Sequence, residues 1–130
     1  MNTKHVTSLE TSKQLAEAGI VIESEYGWVG FINDNGGEYF EVRHERDSYP
    51  PRYPAPIATE ILERLPAELI VEKVTYNLFI GVAKTERGIE YYVGYADEFE
   101  REELLCELQT ATIPNALALL LIRLTKDGLI

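Results

Sequence analysis

A single cysteine among 130 residues excludes an intramolecular disulfide, a CxxC redox pair and a thiolate-rich zinc site. Cys106 stands between Leu105 and Glu107, and acidic neighbours raise a thiol's pKa, so it reads as an inert thiol in a reducing cytoplasm. Histidine is almost as scarce, with His5 and His44 the only near-neutral proton shuttles. Neither lies in an HxH or HExxH spacing, so no metal and no cofactor are expected. The longest apolar run, Ala116 to Ile122, is far short of the roughly 20 residues that cross a bilayer. The opening Met1-Asn2-Thr3-Lys4-His5 is polar where a signal sequence is apolar, so a soluble chain without a membrane partner is expected. Positive charge is short too: 12 Lys+Arg against 22 Asp+Glu give 12 − 22 = −10. The basic residues are scattered, which counts against direct nucleic-acid binding.

What is present is enough for a core. With 45% hydrophobic residues and eight tyrosines, the apolar area offsets the entropy of ordering, and the length fits one domain. Thr7-Ser8-Leu9-Glu10 reads as a capping box with Thr7 as N-cap, opening a helix that stops at Gly19. A second helix is expected over Ala58 to Leu65. A third has Thr112 as N-cap, Pro114 in its first turn and Gly128 past its end. At helical spacing Ile113, Leu117, Leu120, Leu121 and Leu124 form its covered stripe, while Leu119 falls on the polar side with Asn115 and Arg123.

Between the helices the period changes to two. Glu25 to Ile32 and Glu38 to Arg43, joined by Asn33-Asp34-Asn35-Gly36-Gly37, read as a hairpin. The glycine-rich turn joins strands and opens no helix, so it is no phosphate cradle. Ser48 to Pro56 carries four prolines around Tyr49, Arg52 and Tyr53 and is expected as an extended loop without ladder hydrogen bonds. Leu69-Ile70-Val71 is a short strand, and Tyr76 to Lys84 with Ile89 to Tyr95 makes the clearest hairpin. The order Leu104 to Leu108 fits either a helix end or an edge strand, and residues 97–110 are left open. The sum is α+β: a single domain with one antiparallel sheet of about four to five strands covered by helices.

Thr7-Ser8-Leu9-Glu10 with Ser12-Lys13, a glutamate-rich approach to Trp28, Tyr53-Pro54-Ala55-Pro56 before a helix ending Leu65-Pro66, and Asn115-Ala116-Leu117-Ala118 to Gly128-Leu129-Ile130 come in a familiar order. In this the chain resembles small phage and prophage proteins of unknown function with an α/β/α-sandwich domain. The resemblance implies that fold and, for a phage-encoded chain, the host cytoplasm. It implies no reaction and no catalytic residue.

Three functional readings follow. The first is a non-enzymatic accessory protein acting through a protein partner or a second copy, with Tyr53, Tyr92, Glu100, Glu102 and Leu119 as possible interface residues. The second is a small hydrolase or ligand-binding enzyme around His44, Glu45 and Asp47 near the Pro/Tyr loop. The third is an acidic imitation of a phosphate surface by Glu98, Glu100, Glu102 and Glu103, directed at a host DNA-binding protein.

Overall fold

The computed structural model describes residues 3–97 and 104–130. Three helices and seven strands are formed there: α1 (Leu9–Glu17), β1 (Tyr26–Ile32), β2 (Glu38–His44), β3 (Tyr53–Pro54), α2 (Ala58–Leu62), β4 (Glu68–Val71), β5 (Val74–Thr85), β6 (Gly88–Asp97), β7 (Leu104–Thr110) and α3 (Ile113–Lys126). The α+β composition stands. The strands form two antiparallel sheets instead of one, ordered β2-β1-β3 and β4-β5-β6-β7. Alternation shows which residues of a strand share a face, but not which strands share a sheet.

The first helix is capped one residue later than expected. Ser8 Oγ accepts from Thr11 N at 3.1 Å, while Thr7 is fully buried with its hydroxyl on Ser12 Oγ at 2.7 Å. Thr7 is held away from a capping role because its amide donates to Pro56 O and its carbonyl accepts from Trp28 Nε1. The first sheet wraps a small core of Val6, Val42 and Ala55, flanked by Trp28 and Ile57. The Pro/Tyr segment enters that sheet, contrary to the loop expectation: Arg52 N donates to Trp28 O and Ala55 N to Tyr26 O, both at 2.9 Å, which sets Tyr53 opposite Trp28. Pro54 fits because the ladder donors are its neighbours Arg52 and Ala55.

The larger core joins the helices to one face of the second sheet. Leu117, Leu120 and Leu124 of α3 are fully buried with Val93 and Tyr95 of β6 and Ile61 of α2. The covered arc of α3 is wider than the expected stripe, because Ala116, Ala118 and Ile122 are buried as well. Its polar side is not simply wet: Asn115 Oδ1 accepts from Ser8 N at 2.8 Å and ties α3 to the start of α1. Thr112 takes the N-cap position without a side-chain capping bond. The segment from Leu104 resolves as a strand at the sheet edge, with a register shift beside Tyr95 and Ala96. The two strands close tightly there: a Cβ on Gly94 would lie 2.1 Å from Cys106 O.

Candidate functional site

His44 ends β2 as the histidine reading requires, but its ring is committed. Nδ1 accepts from Arg46 N at 3.1 Å and from Arg46 Nε at 3.2 Å, which places the ring proton on Nε2, 3.5 Å from Glu25 Oε2. A general base needs a free lone pair, and the only one here is spent on capping a short 3-10 turn, Glu45–Asp47. Asp47 helps close the same turn, its Oδ2 accepting from His44 N at 3.3 Å. The hollow beside them, lined by Tyr26, Val29, Arg43 and Tyr49 among others, has a volume of about 140 Å³. Small-molecule sites usually run to roughly 300–1,000 Å³. No group of three or more His, Cys, Asp or Glu stands together as a metal cage among the described residues.

The other candidates are occupied too. In the glycine-rich turn, Asn33 Oδ1 takes the amides of Asn35 and Gly37 at 3.0 and 2.8 Å, the groups a phosphate would need. Burial pushes the Cys106 thiol above its ordinary value, which disfavours the thiolate that nucleophilic attack needs. Around the first sheet, Arg43 stacks over Phe31 and Tyr49 and pairs with Glu41. Lys13 and Arg52 both approach Phe40. The Glu38 carboxylate, hydrogen-bonded at 2.8 Å, raises the Arg52 pKa. These cations are satisfied by the chain itself.

Of the five expected interface residues, the three among the described residues, Tyr53, Tyr92 and Leu119, lie on separate elements. Tyr53 is half-buried in β3, and Tyr92 lies in β6 of the other sheet. Leu119 is half-buried against the large core in an open hollow shared with Gln14, Glu17, Leu108 and Lys126. Glu100 and Glu102, with the rest of the acidic stretch, lie outside the described residues. Tyr91 and Tyr92 point to opposite faces, as adjacent strand residues must. Tyr91 is opposite Val82 and Tyr92 opposite Gly81. The Tyr92 ring lies over Gly81, where a Cβ would come within 2.2 Å of it.

A different surface stands out. β4 pairs with β5 only from Val74 to Asn77, and Leu78 N donates to Ala67 O at 2.9 Å. β5 continues to Thr85, paired with β6 alone. On the face that α3 covers further along, Ile80, Val82 and Ile89 stand 45%, 59% and 52% exposed. Ile80 faces Val93 and Val82 faces Tyr91 across the ladder, so these residues belong to the same stripe as the buried core of β6 and extend past its helical cover. The alternation in the sequence located this stripe. It carried no sign of where the cover stops.

No helix among the described residues is long and apolar enough to cross a membrane. Comparison with protein-family models, with curated proteins and with solved structures yields no match for the chain.

Proposed function

We propose that the chain is a non-enzymatic protein-interaction module, an accessory protein of the phage type that its motif order resembles, and that it binds through the overhanging end of the β5-β6 hairpin. One observation carries the reading: Ile80, Val82 and Ile89 are exposed together beside a strand edge that no described strand pairs. Exposed apolar side chains in one patch favour burial by another protein surface, and an open edge supplies backbone donors and acceptors to receive it. The hydrolase reading loses support from the same geometry, because the Nδ1 lone pair of His44 is already used.

The test is a pull-down with tagged chain from a lysate that also holds an untagged copy. The double variant Ile80→Lys with Val82→Lys adds charge where the side chains already meet water. At least one protein retained by the wild type is expected to be lost by the variant. An unchanged set of retained proteins refutes the reading. So does multiple-turnover ester hydrolysis that His44→Gln abolishes.

A further inference from the structure

We propose that the occupant of the β5 edge is a second copy of the same chain, paired antiparallel across a two-fold axis centred on Val82. The proposal rests on the reading of the hairpin overhang as a binding surface and adds the identity of what binds there.

The shape of the gap is the first argument. It opens after Leu78, whose amide goes to Ala67 O, and closes at Thr85, the last β5 residue before the turn to Gly88. The open stretch is therefore 79–85, and its middle residue is Val82. Backbone N–H and C=O groups of a strand alternate between its two edges. Leu78 N points to the β4 side, so the groups of Ile80, Val82 and Lys84 point out of the gap. A two-fold axis perpendicular to the sheet at Val82 sets Val82 against Val82 of the second copy, and Ile80 against Lys84 of the second copy. All outward groups of the gap then find a partner. A filled gap of one chain is thus the filled gap of the other, which is the isologous contact of a two-fold dimer.

The register is pinned from both ends. Moving the axis to Gly81 sets Leu78 against Lys84 of the second copy, but the Leu78 amide is already used. Moving it to Ala83 sets Ile80 against Glu86, which lies in the turn beyond β5. Side-chain chemistry agrees with the central register. Because directly opposed residues of an antiparallel pair share a face, Val82 meets Val82 of the second copy on one side of the joined sheet, with Ile80 diagonal to it and against the aliphatic stem of Lys84.

Charge favours this meeting point over the rest of the surface. A chain with net charge −10 repels its copy in general. The segment from Phe79 to Glu90, however, sets Lys84 and Arg87 against Glu86 and Glu90 and is neutral.

The test is the solution mass of the purified chain by sedimentation equilibrium, starting from 14.8 kDa for one copy. The wild type is expected to approach twice that mass as concentration rises. Val82→Pro removes the donor at the two-fold axis while the ladder to β6, which uses the other edge, stays intact. It is expected to weaken the dimer at least about tenfold with an unchanged circular dichroism spectrum. Val82→Cys is expected to form a disulfide-linked dimer on mild oxidation. Ile70→Cys, at a residue 69% exposed in β4, is expected not to. A wild type that stays at the mass of one chain up to its solubility limit overturns the proposal, as does a dimer that Val82→Pro leaves unchanged. In either case, loss of a different retained protein in the Ile80→Lys and Val82→Lys pull-down still upholds the binding surface.

Discussion

Replacing Tyr95 with phenylalanine removes one oxygen from the middle of the larger core, and its effect has a distinctive pH dependence. Tyr95 is fully buried, sits opposite Leu78 on one side and Cys106 on the other, and donates its hydroxyl to Pro66 O at 2.6 Å. Losing that bond leaves the half-buried Pro66 carbonyl without its side-chain donor, so Tyr95→Phe is expected to cost about 1–2 kcal/mol at pH 7. Burial, with a smaller contribution from nearby Cys106, pushes the phenol from 10.0 up to about 12. A raised folded-state pKa leaves the stabilisation whole below pH 10, where both states keep the proton. Between pH 10 and 12 the unfolded chain ionises while the folded chain does not, and stability falls by about 1.4 kcal/mol per pH unit. The wild type should therefore lose about 2–3 kcal/mol over that interval that the phenylalanine variant keeps. Cys106, also raised by burial, adds a slope of its own to both proteins, so the quantity to follow is their difference. Urea unfolding monitored by Trp28 fluorescence from pH 7 to 11.5 measures it. The wild type should lead at pH 7 to 9.5, and its lead should shrink above pH 10. A variant as stable as the wild type at pH 7, or a difference that stays constant through pH 11.5, would refute the reasoning.

Four further variants test other parts of the fold. Gly94→Ala places a methyl group against the Cys106 carbonyl and forces β6 and β7 apart, which should cost about 2–4 kcal/mol in thermal or urea unfolding. Glu72 and Lys73 turn the chain between β4 and β5 with φ of 51° and 71°. Glu72→Asn combined with Lys73→Gly relieves both and should raise stability by about 1–2 kcal/mol, seen as a higher melting temperature. Leu117→Ala, at a fully buried residue, should cost about 2–5 kcal/mol. Leu119→Lys at the half-buried rim of the core should cost less, because the new side chain reaches water past Glu17.

The hairpins of β1 with β2 and of β5 with β6 were legible because alternating side chains and glycine-bearing turns act over neighbouring residues. So were α1 and α3, from their capping and stop residues, although the capping residue shifted from Thr7 to Ser8. Where β4 pairs with β5, the sequence pattern marks only the isolated strand Leu69-Ile70-Val71. The turn between β4 and β5 uses Glu72 and Lys73, residues that rarely take positive φ, where asparagine or glycine would have announced it. The short strand β3 was hidden by its prolines, since the amides that pair with β1 flank them. The division into two sheets depends on contacts far apart in sequence, such as Gly27 with Pro54, to which local periodicity is blind. The site followed the same rule. His44 was visible as a residue type, but the commitment of Nδ1 to Arg46 was not. Ile80, Val82 and Ile89 were visible as a sheet stripe. Their exposure follows from where β4 and the helices end.

The proposed binding edge of β5 is open to a direct test. Amide hydrogen exchange reads that edge residue by residue. Phe79, Gly81 and Ala83 donate toward β6 by the alternation of the strand, so their amides should be protected at every protein concentration. The amides of Ile80, Val82 and Lys84 point into the gap. They should exchange rapidly in dilute protein and become protected as concentration rises, with Val82→Pro abolishing the rise at Ile80 and Lys84. Rapid exchange at Ile80, Val82 and Lys84 at all concentrations, with and without lysate partners, would contradict the proposal.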